Sequence, residues 1–156
     1  MTVPAGNTRG TAAVEFALVC ALLLALLGGL ADFGLMLWSK NRLASGVAAG
    51  AQYAFDTWPS VSAGSMTQYE AAIRSVVQGT SSLASVTVGV TPLVCYCISG
   101  SPAALASSIC QSTCSDGTAP GTYIEISAGY VYHPIMPYYS KVASPTLQET
   151  ATARLQ

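Results

Sequence analysis

The sequence predicts an α+β protein. A long N-terminal hydrophobic helix, transmembrane in its first half, packs on a small antiparallel sheet with short helices. Three observations carry this prediction. Phe16–Ala31 contains no charged residue, and Glu15 and Asp32 bracket the run. Lys40–Phe55 is rich in Ala and free of Pro, so the helix is expected to continue for several turns past the apolar run. Beyond Trp58-Pro59 the composition shifts to Ser, Thr, Gly and Val, with apolar residues alternating at a period of two, the mark of half-buried strands. Composition agrees. Of 156 residues, 51% are hydrophobic and 8% charged, where a soluble domain carries roughly 25% charged. A net charge of −1 leaves no basic field for nucleic acid. The apolar content excludes a disordered chain, and the length suits one modest domain with an attached segment.

Met1–Gly10 is a short polar leader with one charge, Arg9. The uncharged run that follows would cover about 24 Å as a helix, less than the ~30 Å hydrocarbon core. Adding Thr11–Glu15 and Asp32–Trp38 makes the segment long enough to span, with one or both acids near an interface. Trp38 suits the far interface, and Lys40 and Arg42 follow it in water. A permanent membrane anchor is one reading. A secretory signal peptide, cut after Gly29-Leu30-Ala31, is another. Glu15 at the head of the apolar region and the long helical continuation both count against the signal peptide. Farther along, Gly46 and Gly50 have GxxxG spacing, and Ala44, Ala48 and Ala51 widen the same flank. Such a stripe lets helices approach closely, either another subunit's helix or one in the chain's own C-terminal domain. Cys20, inside the apolar run, reads as a small buried hydrophobe.

In the remainder, Ser65–Gln68 and Thr67–Glu70 are overlapping capping-box candidates. Tyr69, Ala72, Ile73, Val76 and Val77 fall on one helical face that ends near Gly79. Ala84–Thr91 and Thr122–Tyr132 alternate as strands, Leu93–Ser99 is extended, and Leu147–Leu155 forms a last strand after the breakers Pro134 and Pro137. A long helix laid across this sheet buries both faces economically.

Four cysteines occur as Cys95-x-Cys97 and Cys110-x₃-Cys114. This is not a common zinc spacing, and His133 is remote from it. Disulfides are the better reading, because an even count in an exported domain implies bridges. Cys95 and Cys97 share one face of a strand. Ser101-Pro102 reads as a helix start, which would put Cys110 and Cys114 on one face of a short helix at Ala103–Ser112. The pairings 95–110 with 97–114 and 95–114 with 97–110 both remain open. No motif for catalysis, phosphate binding or metal-dependent hydrolysis is present, and Asp116, Glu125 and His133 stand apart in sequence. The expectation is a non-enzymatic protein without a cofactor. Tyr130, Tyr132, Tyr138 and Tyr139 are candidates for an adhesive patch or for strand-face packing.

The residues around the leader carry a resemblance. Gly10-Thr11-Ala12-Ala13-Val14-Glu15-Phe16 resembles a type IV prepilin processing site. The longer stretch through Asp32-Phe33-Gly34 to Gly50-Ala51 is similar to TadE-like proteins, the minor pilins or pseudopilins of tight-adherence (Tad/Flp) pilus systems. Gln52 stands where that family usually carries an arginine, and Thr152-Ala153-Arg154 is a weaker echo. The resemblance implies a pilin-like fold and a prepilin peptidase that cuts after Gly10, making Thr11 the N-terminus and Glu15 the fifth residue. It implies a place in the cytoplasmic membrane, with the domain outside, alongside other pilin subunits, the Tad assembly machinery and lipid. Charge bias adds little, since Arg9 against Lys40 and Arg42 is close to a tie. Cleavage would leave a positive amine on Thr11, roughly 6 Å along the helix axis from Glu15. A carboxylate beside hydrocarbon needs a counter-charge, and a neighbouring subunit's amine can supply one. The expected organisation is a leader over 1–10, a transmembrane and assembly helix over 11–57, and a disulfide-stapled α+β domain over 58–156.

Overall fold

The computed structural model describes residues 8–99, 104–136 and 145–156. Helix α1 (Thr8–Thr57) runs without interruption for 50 residues. Two 3-10 turns, Trp58–Ser60 and Ala63–Ser65, lead into α2 (Met66–Ser81). Five strands follow: β1 (Thr87–Val90), β2 (Val94–Ser99), β3 (Ala104–Ser108), β4 (Gly121–Val131) and β5 (Thr146–Arg154). The chain divides into two compact units. One comprises Met1–Leu37 with His133–Ser144; the other comprises Trp38–Tyr132 with Pro145–Gln156.

The second unit is built around β4, whose inner face presents buried Ile124, Ile126 and Ala128 at a period of two. β5 pairs antiparallel along one side of β4, from Tyr123↔Arg154 to Val131↔Thr146. The other side is shared. β1 pairs with the C-terminal half of β4 and β2 with its N-terminal end, both antiparallel. Pro92 falls between them, where a strand would need an amide that proline lacks. Thr91 maintains the ladder at this break. Its amide and its hydroxyl both donate to the Glu125 carbonyl, at 3.0 and 3.1 Å, and its Oγ1 accepts from the Glu125 amide. β3 extends the sheet as an exposed edge strand on β2.

Residues Ala104–Ser108 form a strand, not the helix expected over Ala103–Ser112. They pair residue for residue with β2, from Cys95↔Ser108 to Ser99↔Ala104, and this ladder outweighs the weak helical preference of an Ala-rich pentapeptide. The expected start of that helix, Ser101-Pro102, lies outside the described residues. The capping boxes expected at Ser65–Gln68 and Thr67–Glu70 also do not form. The Ser62 amide instead donates to Ser65 Oγ at 3.2 Å, and the Ser65 amide to the Ser62 carbonyl at 2.9 Å. An added 3-10 turn has moved the capping partnership three residues upstream.

Within this unit, Leu43, Val47, Gly50 and Ala54 are buried along one stripe of α1 at helical spacing. The GxxxG glycines are used inside the chain. A Cβ at Gly46 would lie 2.8 Å from the Val77 carbonyl oxygen and 3.0 Å from Ser81 Cβ. One at Gly50 would lie 2.5 Å from Val77 Cγ2 and 3.8 Å from Ile126 Cδ1. Both glycines therefore admit α2 against α1, with Ile73 and Val77 filling the space. The last carbonyls of α1 have no partner within the helix. Ala54 O accepts from the buried Tyr69 hydroxyl at 2.7 Å, and Thr57 O from Ser60 Oγ at 2.7 Å. Lys40 and Glu149 add an ion pair between α1 and β5 at 3.6 Å, partly exposed and so contributing about 0–1 kcal/mol.

Two outcomes follow for the detergent-solubilised full chain. Gly50→Ala and Gly46→Ala should each destabilise by about 1–3 kcal/mol through overpacking, read as a lowered Tm. Val77→Ala should relieve the first, whose clash is with a side chain, but not the second, whose clash is with backbone. Burial, with Tyr53 adding to it, pushes the Tyr69 phenol up to about 12. Its folded pKa thus lies above the ordinary value near 10, so its contribution is complete below pH 10 and is lost as pH rises towards 12. Tyr69→Phe should cost about 1 kcal/mol at neutral pH. The advantage of Tyr over Phe should shrink between pH 10 and 12; a constant gap in denaturation midpoints would contradict this.

Candidate assembly helix

The first unit carries the apolar run. Val14, Phe16, Leu18, Leu22, Leu24, Leu27 and Leu30 point outward on every side of α1 and are all more than half exposed. The segment contains an 18-residue window of mean hydropathy 2.4, none of it buried within the protein. A helix that is hydrophobic all round needs a core or a bilayer around it. Among the described residues, the chain offers the segment no core.

Gly10, Thr11 and Glu15 are exposed at the start of this helix. Gly10 and Thr11 both lie within α1, so the bond between them is helical. Glu15 has no ion pair or side-chain hydrogen bond among the described residues. Cys20 is half-exposed and is the free cysteine, so it faces the surroundings of the helix more than the buried reading expected.

Asp32, at the other end of the run, is treated very differently. It is 7% exposed. Its Oδ1 accepts from the Ile135 amide at 2.8 Å and its Oδ2 from the Met136 amide at 3.0 Å. The Met136 side chain lies over Gly28, where a Cβ would overlap its terminal methyl. In the sequence Asp32 is only a boundary charge, and partners more than 100 positions away leave no local signal. Just past Leu37, the Arg42 guanidinium stacks over the Trp38 ring one turn before it, 4.6 Å from its centroid. This is the aromatic and cationic pairing expected where a span emerges into water.

Of the two pairings left open by sequence, the structure forms Cys95–Cys110 and Cys97–Cys114, with sequence separations of 15 and 17. These bonds take up all four thiols that a zinc site would need. They join β2 to the turn after β3, not to a helix. In that turn Asp116 Oδ1 accepts from both the hydroxyl and the amide of Thr118, which hold its carboxyl below the usual range. Gly117 takes the left-handed φ of 82° that closes the turn. On the outer sheet face, Tyr96 and Tyr123 meet edge to face at 5.5 Å. Of the four tyrosines considered for an adhesive patch, Tyr132 is buried and Tyr130 half-buried in the second unit. Tyr138 and Tyr139 lie outside the described residues.

Together these features define a class: a protein with one uninterrupted N-terminal helix, apolar all round in its first half and packed on a small disulfide-bonded sheet in its second. Residues 10–52 match the family model for TadE-like proteins. The match covers Gly10–Phe16, the apolar run, Asp32 and both packing glycines. No curated protein and no solved structure matches the chain.

Each disulfide closes a loop worth about 3 kcal/mol of denatured-state entropy. Replacing Cys97 and Cys114 with Ser should therefore lower the Tm by several degrees and free the β3 edge to amide exchange. Unchanged protection at Ala104–Ser108 would show that the ladder alone holds the strand.

Proposed function

We propose that the protein is a minor pilin or pseudopilin of the Tad pilus system, with a structural and not an enzymatic role. The observation that carries this reading is the pairing of an exposed, all-round apolar helix with a Glu15 that no side chain of its own chain satisfies among the described residues. A prepilin peptidase removes Met1–Gly10. The new amine of Thr11 on one subunit then meets Glu15 on the next and sets the axial stagger of helices drawn from the bilayer. The cytoplasmic membrane holds the subunit before assembly, with its disulfide-bonded domain outside, and the other pilin subunits and the assembly machinery are its partners. Release by signal peptidase after Ala31 fits poorly. It would cut a continuous helix and separate the apolar run from Asp32 and its two amide donors.

Intact mass of the protein from envelope fractions tests the processing step. A chain beginning at Thr11 is expected. One beginning at Met1 would favour an uncleaved anchor with an exported binding domain, and one beginning at Asp32 a secreted protein. Glu15→Ala should insert normally and still abolish assembly; pili unchanged in this variant would remove the pairing role.

A further inference from the structure

The 16 uncharged residues between Glu15 and Asp32 rise about 24 Å, short of the ~30 Å hydrocarbon core. Both carboxylates therefore cannot clear the hydrocarbon of one upright helix. With Glu15 at the inner headgroups, Asp32 sits a few ångströms inside the outer boundary, where water is scarce and an unsatisfied carboxylate is costly. The chain supplies the missing donors itself, through the amides of Ile135 and Met136.

The chemistry of the donating segment suits the same depth. Its sequence is Pro134-Ile135-Met136-Pro137. Proline has no N–H, so these four residues carry only two amide donors, and Asp32 accepts from both. Backbone N–H groups that meet lipid need partners within the protein, and both N–H groups of Ile135 and Met136 have one. The side chains are equally suited. Met136 lies in the gap over Gly28, while Ile135 is 72% exposed beside a helix whose own leucines face outward. In water, that isoleucine would gain nothing from its position.

We propose that residues 134–136 are a second membrane contact, a clasp docked on Asp32 that lays Ile135 among the acyl chains of the outer leaflet. The partner is the lipid surface. The clasp rests on the reading of Phe16–Ala31 as a membrane span but not on peptidase processing or on pilus assembly. Asp32 then has a defined role. Its two oxygens hold a loop at membrane depth and are themselves kept from bare hydrocarbon.

The test uses the full chain with Cys20→Ser, reconstituted into phosphatidylethanolamine–phosphatidylglycerol vesicles. A single NBD fluorophore is attached through Ile135→Cys, Leu24→Cys or Glu125→Cys. Position 24 reports the span, and position 125, on the exposed face of β4, reports water. Expected at 135 are blue-shifted emission, strong quenching by lipid bearing a nitroxide near the top of its acyl chain, and weak quenching by iodide. Iodide quenching at 135 equal to that at 125 would overturn the clasp, and so would protection from both quenchers, which would mean that protein covers the residue. Loss of lipid quenching at 24 would overturn the span and the clasp with it, whereas failure at 135 alone leaves the span intact. Adding Asp32→Ala should shift position 135 from lipid to iodide accessibility. A probe that stays in lipid without Asp32 would overturn the carboxylate's role, and should this variant fail to insert, the measurement with Asp32 present still decides the proposal.

Discussion

The backbone of α1 hydrogen-bonds along its own axis from Thr8 to Thr57, and this continuity constrains everything built on it. The same helix presents an apolar surface in its first half and a shaped stripe in its second. The change is made by side chains alone. Up to Leu37, large hydrophobes point outward all round; from Ser39, burial narrows to one stripe at helical spacing. Trp38, Lys40 and Arg42 occupy the changeover, with a ring, an ion-pairing ammonium and a stacked guanidinium.

Close approach follows from that stripe. Because Gly46 and Gly50 lack side chains, Val77 and Ile73 of α2 reach the α1 backbone, and Ile126 of the central strand reaches the same place. The glycine spacing that in a membrane would mark a partner helix is here used inside the subunit. The first half of α1 has no such partner, and among the described residues nothing covers its leucines. Tyr69 reinforces the junction from the other side by accepting burial in order to donate to Ala54 O, which also explains why its phenol resists ionisation.

Legibility in the sequence followed the range of the interactions. The helix, its length and the alternating strand at Thr122–Tyr132 were readable because periodicity is local and long runs average out noise. Gly46 and Gly50 were visible as a close-packing stripe, but their partner was not, since GxxxG does not say which helix approaches. The segment before Cys110 misled because Ala, Leu and Ser suit a helix, while a ladder to β2 and two disulfides decide otherwise. Ser62–Ser65 was missed because a 3-10 turn has no sequence signature as strong as an α-helical capping box. Asp32 was read as a charge at a boundary; its donors lie beyond the whole sheet-forming sequence up to β4, and no local pattern could point to them.

The two acids that bracket the apolar run stand in opposite environments. They resemble each other in sequence, each a lone carboxylate at one end of Phe16–Ala31. Asp32 is closed off, with both oxygens taken by amides of its own chain and little surface left. Glu15 is open, with no such partner among the described residues. A carboxylate already satisfied gains little from a second subunit, because new contacts must displace bonds of similar strength. An unsatisfied one beside hydrocarbon gains the full value of a counter-charge when it finds one. Under the proposed pilin reading, that difference makes Glu15, and not Asp32, the acid through which neighbouring helices would fix their register.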